Sequence, residues 1–326
     1  MTGRPGTVVA VDVGGSGLRL QTYAAGPGPV LTAPGARVGA AGIDVAALVA
    51  DARSLLAHTA ARTAHGDPAP DGSAGAASAP EVVVWSMRGL LFLADRAAVL
   101  AAVVSGLGAR RTVVVSDAVA NLVGATGRIG AGAVVAAGTG AVAFGTDFDG
   151  QWRRVDGWGH VLGDAGSAAA LGMAGLRSAL RAHDGLADGS RALLRAATEL
   201  LGPPETWPRL VMTAPDAPER LASVAPLVTA AAETDALALE LCVRAGSQLA
   251  TSLLRAADGL DQPVLCATGG LLASPAISHA LDAGLEAAGV RLTPAAGGAL
   301  DGAVHLGRHL RDAGTLPQHP AYLLVG

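Results

Sequence analysis

The chain of 326 residues contains no lysine; all 23 of its basic residues are arginine. Without lysine there can be no lysine Schiff base and no G-x-x-x-x-G-K-[ST] phosphate loop, so both chemistries are excluded. Aromatic residues make up only 3% of the chain while 51% is hydrophobic, so the core must be a fine packing of Ala, Val and Leu. Charged residues are also sparse, at 15%, and so apolar a chain does not stay disordered. The net charge of -4 argues against nucleic acid as the main partner, because phosphate backbones call for basic faces. Cys242 and Cys266 are too few and too far apart for a disulfide framework or a zinc site, and both read as small core residues. The opening MTGRPGTVVAVD has no basic region followed by an apolar stretch, so no signal peptide is expected. The apolar run from Gly89 to Ser105 is cut by Asp95 and Arg96, which excludes it as a membrane span. A cytoplasmic protein with no membrane partner is expected.

What is present is glycine at telling places. TVVAVDV (7–13) reads as a buried strand, GGSG (14–17) as a turn, and LRLQTYA as a half-buried strand. After the Gly26–Pro29 turn a third strand begins at VLTA. Residues 43–64 read as a helix with Asp44 near its start, and 65–80 as a loop. EVVVW, the helix of LADRAAVLAAVVSGL, TVVVSD (112–117) and a short helix AVANLVGAT follow. The pattern then restarts: GAVVAAGTGAVAFGTDF is strand, glycine turn, strand, and Asp149-Gly150 is a hairpin signal into QWRRV. Helices fill most of 166–260, PVLCATGG is a strand entering a glycine turn, and a helix, the short strand VRLTP and a final helix (299–312) complete the chain. Strand, strand, strand, helix, strand, helix, strand therefore occurs twice. Such a duplication constrains the whole architecture and implies mixed sheets covered by helices.

Each glycine turn allows two readings. Gly14, Gly15 and Gly17 can point backbone N–H groups into one concavity that suits a phosphate, with the Ser16 hydroxyl beside them. Asp12, just before the turn, could hold magnesium directly or through water. Alternatively this is a plain hairpin. Thr139 between Gly138 and Gly140 could clasp a second phosphate, or again only close a hairpin. Gly269 and Gly270 in CATGGLLASP could lay flat backbone against an adenosine, or simply turn a strand into a helix. Asp117 ends a strand and opens a helix, as either an N-cap or a carboxylate at a strand's carboxyl end. Asp164 has the same ambiguity.

These pieces, in this order, resemble the sugar kinase, actin and heat-shock chaperone superfamily. DGWGHVLGDAGSAAALG (156–172) is similar to the G-W-G-x-x-x-G-D-E-G-S stretch of N-acetylglucosamine kinases and their relatives in the BadF/BadG/BcrA/BcrD branch, which includes the benzoyl-CoA and hydroxyacyl-CoA enzyme activators. Within that branch the chain looks most like actinobacterial glucosamine kinases. The resemblance implies an α/β fold of two duplicated ribonuclease H-like (actin-like ATPase) lobes with mixed sheets around a cleft. The expected lobes are 1–118 plus 304–326, and 119–303 with a helical insert from about 183 to 235. ATP and magnesium would bind between them, and closure over the sugar would exclude water.

The resemblance also implies roles. Asp117 would take the proton of the sugar hydroxyl, and Asp164 would contact sugar hydroxyls. Ala165 departs from the family's Glu, so one carboxylate contact is missing. His160 would be a structural or sugar-contacting imidazole. Trp158 would stack on a pyranose or serve as core. Arg153 and Arg154 would be a solvated strand edge or a nucleotide contact. Where the relatives place an Asn after the second phosphate turn, this chain has Val142, which cannot make the same hydrogen bonds to an acetamide. An ammonium at C2 would favour a carboxylate instead. Asp44 is one candidate, with helix capping as its competing role. The expected activity is therefore phosphorylation of an amino sugar, glucosamine at O6, by a protein that could form a homodimer. The alternatives are an N-acetylglucosamine or other hexose kinase, a non-catalytic ATP-binding activator or switch, and a sugar-sensing repressor. The last would want a DNA-binding extension before the first strand.

Overall fold

VVAVDV forms strand β1 (Val8–Val13), and all six of its residues are buried, as a strand covered on both faces requires. In the computed structural model, which describes residues 6–15, 17–36, 38–39, 42–64 and 79–326, β1 lies inside a six-stranded mixed sheet. It pairs antiparallel with β2 (Leu18–Tyr23), and β2 pairs antiparallel with β3 (Pro27–Ala33). A short pair, β4 (Val38–Gly39) and β5 (Gly42–Ile43), leads to helix α1 (Val45–Ala64). On its other side β1 runs parallel to β6 (Val82–Met87), and β6 runs parallel to β7 (Arg111–Ser116).

Alternate residues of this sheet face opposite layers. Val9, Val11 and Val13 share a core with Val83, Trp85, Met87 and Val114. Leu48, Val49 and Ala52 of α1 and Val99 and Val103 of α2 (Arg96–Leu107) cover that face. Helix α10 (Ala299–Ala313) packs on β1 and β6 and crosses α3 (Asp117–Thr126). The α3–α10 crossing is at backbone contact: a Cβ on Gly302 would overlap the carbonyl oxygen of Ala120.

The second sheet repeats the order of four strands of the first. Strands β8 (Gly132–Ala137), β9 (Ala141–Thr146) and β10 (Trp152–Asp156) form an antiparallel meander, and β11 (Val264–Thr268) runs parallel to β8. The resulting order β10-β9-β8-β11 matches β3-β2-β1-β6. Helix α4 (Ala168–His183) follows the meander. Then come α5 (Arg191–Leu201), α6 (Trp207–Met212), α7 (Ala217–Ala231), α8 (Ala236–Ala257) and, after β11, α9 (Pro275–Ala287). Their core is Ala, Leu and Val around buried Trp207, whose Nε1 donates to the carbonyl of Gly202 at 2.9 Å.

Three expectations are corrected. VRLTP is not a strand: Thr293 N–H donates to the Leu265 carbonyl at 2.7 Å, and the run ends at Pro294, which has no donor to extend a ladder. The first sheet instead gains β12 (Leu323–Val325), antiparallel to β7, from the end of the chain. The chain divides into compact units at Met1–Ile129 with Ala296–Gly326, and at Gly130–Ala295, rather than at 118 and 303. The shift has a physical reason: α3 and the whole of α10 are locked together through glycines, so they stay in one unit. The 65–78 stretch read as a loop lies outside the described residues. Among the described residues no single helix is long and apolar enough to cross a membrane.

Candidate active site

In the first unit the parallel register places Val13, Met87 and Ser116 at one level, so three strands end side by side. Carboxyl ends of parallel strands are where α/β sheets present their functional groups. The β1–β2 turn is fixed there. Gly14 N–H donates to the Gly17 carbonyl at 2.9 Å, and Ala36 N–H donates to the Gly14 carbonyl at 2.9 Å. Gly35 seals it from behind, since any side chain at that position would run into the backbone of Gly14, Gly15 and Gly17. Ser16, expected to offer a hydroxyl, lies outside the described residues.

Asp12 is only 4% exposed, at the carboxyl end of β1. Its Oδ1 accepts from Ser86 Oγ at 3.0 Å and its Oδ2 from the Arg19 guanidinium at 2.5 Å. Both partners follow from strand pairing, because Asp12 is the register partner of Arg19 in β2 and of Ser86 in β6. A buried carboxylate needs such partners to remain charged. Arg88, just after β6, lays its guanidinium beside Gly15. The sequence reading anticipated neither Arg19 nor Arg88.

Asp117 opens α3, half-buried, at the end of β7. The cap of that helix is Ser116, whose hydroxyl accepts from Val119 N–H at 3.3 Å. Asp117 Oδ1 accepts from the adjacent Ala118 N–H at 2.9 Å. The capping reading of Asp117 therefore fails by one residue, and its carboxylate stands in the first turn, where a helix favours negative charge. Asp44, by contrast, caps its helix: Oδ1 accepts from Ala47 N–H at 3.0 Å.

In the second unit Gly138, Thr139 and Gly140 form the β8–β9 turn, with Gly138 N–H donating to the Gly140 carbonyl at 2.9 Å. The start of α4 docks on this turn, since Ala168 and Ala169 N–H donate to the carbonyls of Gly138 and Thr139 at 2.9 and 3.1 Å. Ser167 caps α4, so Asp164 is not the cap. Asp164 is 8% exposed, has a left-handed backbone (φ 59°), and sets its carboxylate against Gly140, where a Cβ would lie 2.6 Å from Oδ2. Its Oδ1 accepts from Gly159 N–H at 3.0 Å. Gly269 presses on Ala137 at the foot of the same turn, while Gly270 has open space around it. The structure thus gathers Gly138–Gly140, Asp164, Gly269 and Gly270 at one end of the second sheet.

His160 sits half-buried in the turn between Gly159 and Gly163. Trp158 is not core: it is 61% exposed, with the Arg154 guanidinium 4.7 Å from its ring centroid. Arg154 also donates to the Gly157 carbonyl, and Arg153, on the edge strand β10, donates to the carbonyls of Arg255 and Asp258. The other tryptophans pack as expected: Trp85 and Trp207 are buried, and Trp152 meets Phe144 and Phe148 edge-on. Both cysteines are buried and neither is in a disulfide, and burial pushes the Cys242 thiol up to about 11. Among the described residues no group of three His, Cys, Asp or Glu is placed to hold a metal ion.

Two mixed sheets of one strand order, each with a glycine turn after its first strand, define a class: a duplicated α/β protein of the actin-like ATPase fold. A structure from Chromobacterium violaceum, of a protein named as an N-acetylglucosamine kinase, matches at TM-score 0.71 and 25% identity, covering 93% of this chain and 99% of that one. One of the same name from Porphyromonas gingivalis matches in fold at TM-score 0.70 and 17% identity, over 95% and 99% of the two chains. In sequence, 74 residues are 35% identical to an N-acetylmuramic acid/N-acetylglucosamine kinase of Clostridium acetobutylicum, spanning 23% of this chain and 24% of that relative. Residues 95–300 match the BadF/BadG/BcrA/BcrD ATPase family, and the chain belongs to that family.

Proposed function

We propose that this protein is an ATP-dependent sugar kinase whose preferred acceptor is glucosamine, phosphorylated at O6. The observation that carries the reading is the setting of Asp117. It shares the sheet end of the Asp12–Gly17 turn, and Ser116 relieves it of capping α3. In this reading Asp117 accepts the proton of the 6-hydroxyl as that oxygen bonds to the γ-phosphorus, and the bond to the departing ADP oxygen breaks. The transition state is loose, so positioning and charge stabilisation contribute most of the rate, and the base chiefly orients the hydroxyl.

The glycine turns at 14–17 and 138–140 supply phosphate-binding N–H groups, and Gly269 and Gly270 form the flat bed for adenosine. Asp12 fits magnesium that arrives with a nucleotide, because such an ion takes one or two carboxylates together with phosphate oxygens and water. Magnesium would neutralise charge on the phosphates. Arg19 balances Asp12. Asp164, His160 and Trp158 form the sugar side, with the Trp158 ring exposed for stacking.

The preference for a free amine rests on Val142. Its side chain lies against Gly157 of the D-G-W-G loop and offers an acetamide no hydrogen bond. Phosphorylation of N-acetylglucosamine is the second reading, favoured by the names of the similar proteins. A side-by-side measurement of kcat/KM with glucosamine, N-acetylglucosamine and glucose, reading ADP release, decides. Highest efficiency with glucosamine is expected. A clear preference for the acetylated sugar overturns the amine assignment, and no sugar-dependent ADP release with any of them overturns the kinase.

A further inference from the structure

Between β10 and α4 the backbone is unusually contorted: Asp156, Gly157, Gly159, Asp164 and Gly166 all have positive φ. Two of these are aspartates, at φ 61° and 59°. Left-handed non-glycine residues persist only where the surroundings over-determine them, and they concentrate at functional sites. Asp164 is already placed in the sugar site. Asp156 has no role in the reaction as described so far.

The contacts of Asp156 show what over-determines the segment. Its Oδ1 accepts from Asp164 N–H and its Oδ2 from Ala165 N–H, each at 2.7 Å. One carboxylate thus grips two successive backbone amides with charge-assisted bonds, which are short and directional. Gly163 makes room for the grip, because a Cβ there would overlap Asp156 Oδ1. Beyond it, Asp164 sends Oδ1 to Gly159 N–H and rests Oδ2 against Gly140. A continuous path therefore runs from the end of β10, through the Asp156 carboxylate, to the Asp164 carboxylate and the β8–β9 turn.

We propose that Asp156 is the positioning residue of the sugar site: it fixes Asp164 in its left-handed conformation and sets the Asp164 carboxylate relative to the 138–140 turn. The grip falls on the backbone of Ala165, the position at which the resembling stretch carries Glu. Asp156 thus brings a carboxylate to this turn although residue 165 has none. This inference rests on the kinase reading for its catalytic consequence, but the grip itself does not.

The test uses the full chain with Asp156→Ala and Asp156→Asn, the latter keeping shape and one acceptor oxygen. Hydrogen exchange at the amides of residues 164 and 165 is read first. At least about tenfold faster exchange is expected in Asp156→Ala, less in Asp156→Asn, with helices α4 and α8 unchanged. Unchanged exchange at those two amides overturns the grip, whatever the protein catalyses. The kinetic arm then reads KM for glucosamine, expected to rise at least about tenfold, with KM for ATP moving less than about twofold. Asp156→Ala combined with Asp164→Ala should lose little beyond Asp164→Ala alone, since residues acting through one another are not additive. Full additivity, or equal rises in both KM values, overturns the positioning role. Faster exchange in a protein that phosphorylates no sugar leaves the grip standing and removes the kinase reading alone.

Discussion

Gly269 joins the proposed adenosine bed to the second phosphate turn, and replacing it with alanine measures how tightly the two are built together. Its φ of 112° is one that L side chains rarely adopt, and a Cβ there would overlap the carbonyl oxygen and carbon of Ala137. Backbone strain of this kind costs about 1–3 kcal/mol. Forcing an atom into a packed site adds about 1–3 kcal/mol more, so Gly269→Ala should cost about 2–6 kcal/mol in total. At about 2–4 °C per kcal/mol for a domain of this size, the melting temperature should fall by about 4–24 °C. The displaced atoms belong to β8 immediately before Gly138, so the phosphate turn shifts too. Nucleotide affinity should drop by at least about tenfold even at temperatures where the variant is folded. Gly270→Ala is the control: nothing lies within 4 Å of its Cβ position and its φ is not positive. It should change the melting temperature by no more than about 2 °C, as surface substitutions away from special features do. Thermal unfolding by circular dichroism and ATP titration by calorimetry read both variants. Equal, small effects at 269 and 270 would refute the reasoning, because the positive φ and the collision with Ala137 are what set Gly269 apart from Gly270.

Further outcomes follow at three other residues. Asp44→Ala should remove the α1 cap and cost about 0.5–2 kcal/mol in a melt; a rise in KM confined to glucosamine and absent with glucose would show that its carboxylate also meets the amine. Asp12→Asn leaves Arg19 without its charge partner and should steepen the magnesium dependence of turnover, with an unchanged magnesium titration speaking against Asp12 as the metal-side carboxylate. The Cys242 thiol, buried and raised to about 11, should resist a disulfide reagent at pH 8 in the folded chain and react on unfolding. By linkage, a raised folded pKa means stability that is full below the unfolded thiol's value of roughly 8.5 and declines as pH climbs toward about 11; the sign is checked by melts between pH 7 and 10.

Much of the fold was legible because its strands are short apolar runs bounded by glycine, and because the order of four strands occurs twice. VAVDVGG and VVAAGTG each announce a strand that ends in a turn, and the structure places both so. VRLTP misled because its composition suits a strand while its single ladder bond and Pro294 do not support one. Asp117 read equally as a cap or as a strand-end carboxylate because Asp favours both settings, and Ser116, which takes the cap in the structure, was not anticipated. Arg19 could have been found by writing β1 against β2 in antiparallel register, which sets it opposite Asp12. Asp156 could not, since its partners are backbone amides eight and nine residues on, and a side chain gripping backbone leaves no residue-type signature.

The kinase account is tested most directly by following labelled γ-phosphate from ATP into product, with the wild-type chain and Asp117→Asn side by side. Label should appear in glucosamine as a phosphomonoester on C6 by phosphorus NMR, and Asp117→Asn should lower turnover by at least roughly 10²-fold while sugar binding is retained. Label released only as inorganic phosphate, or a variant turning over at near wild-type speed, would contradict it.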